Sequence, residues 1–311
     1  MPASSANASR SPKANGVISR SLKGQNDPSP GLRGGCSSRE EPWLFRLRAV
    51  EYMKTRRKAR TSEALYRCIG VEVLEAPCQL GSCLQGLYPE TSCSGALPKV
   101  IVIHFQLPFQ PGPIYGSHPE DSGCSVLILF QLKEPVVESP AVLLLQRFVA
   151  DAHPKREGFG VSGALKVVGL LENLDDLNIP SAVRPVVRRF NGKPVLIEKE
   201  SRHYRYGDAL EITVDVRGFN PVARQLLYQL RGQLPKSIMQ LGILVQGVEE
   251  FELPEGFLGL ARLDGLDLVA GRAVSASSPG LSGPPHAFGP PHAVGPLRRV
   301  CGCCRRKKAL L

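Results

Sequence analysis

The chain of 311 residues has no long hydrophobic run. Its longest nearly unbroken apolar stretches, 124–132 and 141–150, fall far short of the ~20 residues a spanning helix needs, which excludes transmembrane helices. No secretory signal peptide precedes the nine cysteines, so their odd number reads as free thiols in a reducing compartment rather than a disulfide framework. Pro2 stands where N-myristoylation needs glycine, and the terminal Ala309-Leu310-Leu311 does not complete a prenylation box. Gly-x-Ser-x-Gly, P-loop and Rossmann fingerprints are all missing, so no reaction is suggested by motif. With 42 % hydrophobic and 22 % charged residues, the chain has globular composition.

What is present is unevenly placed. The net charge of +11 belongs to the ends. Residues 1–38 carry five basic side chains against Asp27, and 271–311 carry seven with no acid. The 27 basic and 27 acidic residues left between 39 and 270 balance. A nucleic-acid-binding domain carries its basic excess on the folded part, so nucleic acid is not expected as a partner. Residues 1–42 are Ser/Ala/Gly/Pro-rich and bury too little to offset ordering entropy. They read as a disordered basic tail, with an organelle transit peptide as the other reading of a Ser/Arg-rich, acid-poor start. Residues 271–311 read as a Pro/Gly-rich linker, in which Gly283-Pro284-Pro285-His286-Ala287-Phe288 recurs as Gly289-Pro290-Pro291-His292-Ala293-Val294, ending in a Cys/basic terminus.

Between the tails, 43–270 reads as one domain. Strands are predicted at 69–74, 100–107, 124–132, 161–171, 195–200, 238–248 and 257–263, and a short buried helix at 142–150. The alternation of Leu210, Ile212, Val214 and Val216 with Glu211, Thr213 and Asp215 predicts a half-solvated antiparallel strand. Asn220 and Pro221 supply the N-cap and first residue of a helix reaching about Gly232. Successive strands with few helices predict an α+β fold: a single domain on a curved antiparallel sheet with a few packed helices, flanked by disordered tails.

Several segments, in order, carry a family likeness. They are Arg48-x-x-x-Tyr52-x-Lys54-x-Arg56-Arg57-Lys58, Leu65-Tyr66-x-Cys68-Ile69-Gly70-Val71-Glu72, Gln146-Arg147-Phe148-Val149 and Asn191-Gly192-Lys193-Pro194. Tyr206-Gly207-Asp208 through Asp215, Pro221-Val222-Ala223-Arg224, Glu252-Leu253-Pro254-Glu255 and Leu258-Gly259-x-Ala261-Arg262-Leu263 follow. Together they resemble the C-terminal domain of the plant protein Enhanced Disease Resistance Two over about 43–270. That resemblance implies action at membranes as a negative regulator of defence and cell death. In the plant proteins the domain often follows pleckstrin-homology and lipid-transfer START domains, and neither is expected in the 42 residues before the match. The family's Gly and Trp before a basic stretch have no counterpart in 171–190. It supplies no agreed catalytic residues.

The sharpest local signal is the C-terminus, where Cys301, Cys303 and Cys304 lie among Arg298, Arg299, Arg305, Arg306, Lys307 and Lys308. Acyl chains contribute about 0.8 kcal/mol per buried CH₂, and each cation beside an anionic leaflet roughly 1 kcal/mol, so the pair of signals fits a peripheral anchor. A metal-sensitive thiol cluster, or a basic tail without a partner, is the plainer alternative. A second candidate is 46–60, with seven basic residues against Glu51; Lys54, Arg56, Arg57 and Lys58 are its membrane or phosphate contacts. The same run also fits a nuclear import signal or a solvated face. Cys78, Cys83 and Cys93 lack the second pair of a zinc knuckle, and His104, His118, His153 and His203 have no ligand neighbours at a shared spacing. No metal, cofactor or catalytic residue is expected. Asp215 and Arg224 are expected to form an ion pair, and His203 to sit in a hairpin bend. The reading is a non-enzymatic, cytoplasmic protein that is peripheral to membranes or lipid-associated and regulatory in signalling or stress. Its expected partner is an anionic lipid or phosphoinositide; a protein-interaction adaptor of cytosol or nucleus is the alternative.

Overall fold

The computed structural model describes residues 36–37, 40–76, 79–85, 97–112, 122–150, 165–197, 200–269 and 272–273. The strands are β1 (Cys36–Ser37), β2 (Arg46–Arg48), β3 (Lys58–Arg60), β4 (Tyr66–Ala76), β5 (Val100–Pro108), β6 (Gly123–Leu132) and β7 (Leu165–Leu171). Then come β8 (Pro194–Ile197), β9 (Ser201–Tyr206), β10 (Ala209–Asp215), β11 (Ile238–Val245), β12 (Gly259–Asp264) and β13 (Arg272–Ala273). Among the described residues, eleven of these form one curved sheet in the order β8-β7-β11-β12-β4-β6-β5-β10-β9, with β1 on β12 and β13 on β4. The sheet thus takes in short segments on both sides of 43–270. β2 and β3 form a separate two-stranded ribbon. The α+β architecture is as expected, and most pairings are antiparallel; β10 on β5, β12 on β4 and β13 on β4 are parallel.

Strand periodicity explains how the sheet is covered. Successive side chains point to opposite faces, and one face collects Ile101, Ile103, Val126, Ile128, Phe130, Leu210, Ile212 and Val214. The helix Pro140–Ala150 packs there through Leu144, Leu145, Phe148 and Val149; burying each such side chain contributes about 1.5–3 kcal/mol. The opposite face alternates into Val102, His104, Gln106, Ser125, Glu211 and Thr213, and these are buried too. Residues 79–85 lie over it, with Leu80, Cys83 and Leu84 in a second core alongside Leu74, Leu127 and Leu129.

Three expectations are corrected here. β10 is neither half-solvated nor antiparallel to both neighbours: it runs parallel to β5, and Glu211 and Thr213 are buried beneath 79–85. His203 lies within β9, not in a bend; the turn falls at Gly207, whose φ of 51° suits glycine. Asp215 does not reach Arg224. Asp215 accepts from Arg217 and from Gln79 Nε2 at 2.7 Å, while Arg224 donates to the carbonyls of Arg217 and Phe219. Asn220 does cap the helix Pro221–Arg231, accepting from Ala223 N–H at 2.9 Å.

Candidate functional site

The basic stretch 46–60 folds as a hairpin whose ribbon seals one end of the core. Phe45 and Leu47 point inward against Phe257, Val168, Leu244 and Leu260. The alternate positions point out, and the antiparallel register sets Arg46 opposite Arg60 and Arg48 opposite Lys58. Like charges directly opposite each other are destabilising. Arg48 is drawn inward, donating to Gly247 O at 2.7 Å and lying 3.7 Å from Glu255. Lys54 pairs with Glu250 at 2.9 Å, which raises its pKa through that hydrogen bond and charge. Arg56 takes the left-handed conformation that ends the turn of helix Tyr52–Thr55 and lies over the Tyr52 ring at 5.5 Å. Arg46, Arg57, Lys58 and Arg60 are exposed and have no ion-pair partner among the described residues.

Large apolar side chains flank these cations. Trp43 (52 % exposed) and Leu44 precede β2 in a 3-10 turn. Val50 follows it, and the Lys54–Glu250 pair brings exposed Phe251 (65 %) to the turn end of the hairpin. A second basic feature is a shallow groove of about 510 Å³ lined in part by Arg67, Lys99 and Lys133. Two of its cations are paired, Lys99 with Asp208 at 3.3 Å and Lys133 with Glu63 at 3.5 Å, while Arg67 donates to the neutral Gln131 amide. The hairpin gathers four exposed cations without an ion pair among the described residues, Arg46, Arg57, Lys58 and Arg60, within 15 residues of chain; Arg189, Lys193, Arg202 and Lys236 are likewise exposed without an ion pair elsewhere in the domain. The other predicted contacts, Arg298, Arg299, Cys301, Cys303, Cys304, Arg305, Arg306, Lys307 and Lys308, lie outside the described residues, as do His118, His153, Cys78 and Cys93.

Sequence spacing did not reveal a second constellation, assembled by the fold beneath 79–85. Glu211 is fully buried, and its carboxylate accepts from Cys83 N–H (3.0 Å), Leu84 N–H (3.0 Å), Ser82 Oγ (2.6 Å) and Thr213 Oγ1 (3.3 Å). His104 Nδ1 lies 3.1 Å from Glu211 Oε1 and 3.6 Å from Cys83 Sγ, while Nε2 is 2.9 Å from Ser125 Oγ. Burial alone would raise the Glu211 pKa, but the hydrogen bonds from His104, Ser82 and Cys83 N–H outweigh it and hold the carboxyl below its ordinary value. Burial, then the Glu211 charge, pushes the Cys83 thiol well up. Thiol and carboxylate face the same ring nitrogen, so the group lacks the relay of a nucleophile triad, in which they occupy opposite nitrogens. The only sequence signals were a histidine inside the apolar run 100–105 and an acid inside strand 209–216.

These features define an α+β sheet domain with a buried Cys83, His104 and Glu211 cluster on one sheet face and an exposed basic hairpin at residues 46–60. The chain belongs to the family described as Protein ENHANCED DISEASE RESISTANCE 2, C-terminal, which matches it over residues 38–267. No curated protein and no solved structure matches the chain.

Proposed function

We propose that this is a non-enzymatic peripheral protein whose hairpin 46–60 meets an anionic membrane surface, with the basic, Cys-bearing C-terminus as a second attachment. The observation that carries the reading is the ribbon itself. Arg46 stands opposite Arg60, and neither they nor Arg57 and Lys58 have an acidic partner among the described residues; Trp43 and Phe251 lie exposed at its two ends. Unpaired cations beside exposed aromatics suit the headgroup region, where each Lys or Arg contributes about 1 kcal/mol and aromatic rings sit at the boundary. The packing of Cys83 supports the non-enzymatic part, since a buried thiol with a raised pKa is a poor nucleophile. A regulatory role in stress or signalling rests on the family's name alone. Among the described residues no helix is long and apolar enough to cross a membrane.

Trp43 is the only tryptophan in the chain, so it reports on the hairpin directly. Titration of the full chain with vesicles containing phosphatidylserine or a phosphoinositide should shift Trp43 emission to the blue and pellet the protein, both reversed by salt. Pure phosphatidylcholine vesicles should do neither. Replacing Cys301, Cys303 and Cys304 with Ser should weaken pelleting of protein made in cells without abolishing the Trp43 shift. No shift and no pelleting with anionic vesicles would refute the membrane reading and leave a protein-interaction adaptor.

A further inference from the structure

We infer that Cys83, His104 and Glu211 form a divalent metal site, best suited to Zn²⁺, that staples residues 79–85 to the sheet. The three ligand atoms come from three separate elements and lie within 4.8 Å of one another. Zinc bonds of about 2.3 Å to sulfur and 2.0–2.1 Å to nitrogen and oxygen, in tetrahedral arrangement, set edges of about 3.6 Å for S···N and about 3.3 Å for N···O. The structure has 3.6 Å from Cys83 Sγ to His104 Nδ1 and 3.1 Å from Nδ1 to Glu211 Oε1. Two of the three edges are thus spaced as coordination requires, and the third, from Cys83 Sγ to the Glu211 carboxylate, lies within 4.8 Å. A soft thiolate, an imidazole and a carboxylate are a donor set zinc accepts.

The surroundings match those of a metal ligand. Ser125 Oγ at 2.9 Å from Nε2 is the outer hydrogen bond that orients a ligating histidine. The N–H groups of Cys83 and Leu84 and the Ser82 hydroxyl hold the Glu211 carboxylate in place. Charge balance points the same way. Without metal, the buried cluster holds a carboxylate offset by hydrogen bonds, with the His104 proton on Nδ1 and the Ser125 hydroxyl donating to Nε2. When Zn²⁺ binds, Cys83 loses its thiol proton to solvent. The ring proton resides on Nε2, where Ser125 Oγ accepts it, and Nδ1 ligates. Thiolate and carboxylate then neutralise the two positive charges. A structural zinc site is closed with four protein ligands, and the Thr213 hydroxyl, with Oγ1 3.3 Å from Glu211 Oε1, is the group beside the cluster that would take the fourth position.

The test uses the full chain with Cys301, Cys303 and Cys304 replaced by Ser, so that the tail supplies no thiolate, stripped with chelator and loaded with Co²⁺ or Zn²⁺. One metal per chain should bind, with a thiolate-to-cobalt charge-transfer band in the near ultraviolet. Cys83→Ser and His104→Gln should each remove that band, and Cys68→Ser should leave it. X-ray absorption of the zinc form should find one sulfur with nitrogen and oxygen neighbours. This measurement needs no further variant, so the inference stays testable if Cys83→Ser fails to fold. Absence of metal uptake, two or more sulfur ligands, or a band that survives Cys83→Ser would overturn it.

Discussion

Acidification should weaken this fold through His203. The ring is buried in β9 against Phe148, centroids 4.3 Å apart, and neither ring nitrogen has a hydrogen-bond partner. Burial lowers its pKa from 6.5 to about 4. As pH falls below the unfolded value, the unfolded chain takes up a proton that the folded chain refuses until about pH 4. Stability therefore rises with pH across that window and is lost on acidification. At 1.36 kcal/mol per pKa unit the full effect is about 3 kcal/mol, and about 2 kcal/mol of it is spent between about pH 7 and pH 4.5. Urea denaturation of the wild type and His203→Leu at both pH values measures it. The Leu variant lacks the proton site and two unsatisfied polar atoms, whose burial costs about 1–3 kcal/mol each. It should match or exceed the wild type near neutrality and lose about 2 kcal/mol less on acidification. Equal pH slopes for the two proteins would refute the assignment of a neutral, unpartnered His203.

Three further outcomes follow from the same geometry. Arg46→Glu replaces a like-charge pair opposite Arg60 with an opposite-charge one, so stability should rise by about 0.2–1 kcal/mol while anionic-vesicle binding weakens; binding that persists unchanged argues against the hairpin. Glu211→Gln turns an amide NH₂ toward groups that donate to the carboxylate, and should cost about 3 kcal/mol in denaturation. The Cys83 and Leu84 amides should exchange faster in that variant, and unchanged exchange would contradict the role given to Glu211. Gly242→Ala places a Cβ 2.4 Å from the Phe257 ring, an overpacking that should cost about 1–3 kcal/mol; a neutral melting temperature would mean that the Phe257 ring can move aside.

The sequence by itself determined the elements whose signal is local. The apolar runs around 100–107 and 124–132 became β5 and β6, and Val142, Leu145, Phe148 and Val149 repeat with the helical period that packs Pro140–Ala150 on the sheet. Asn220-Pro221 specified a helix start through chemistry confined to four residues. The motifs scattered from 48 to 263 likewise carried the family, since motif order is a one-dimensional property. Tertiary structure decided what lies over each face. The alternation of Glu211 and Thr213 marks a polar face whether water or 79–85 covers it, and only the fold shows that the cover is protein. The parallel partnership of β10 with β5 is equally non-local, and it brings His104 beside Glu211 across 107 residues of chain. The hairpin shows both sides. Its seven cations were plain in the sequence, but the register that sets Arg46 against Arg60, and the ion pairs that occupy Arg48 and Lys54, depend on residues about 200 positions away. Composition counts charges; only three-dimensional pairing decides which of them remain unmatched at the surface.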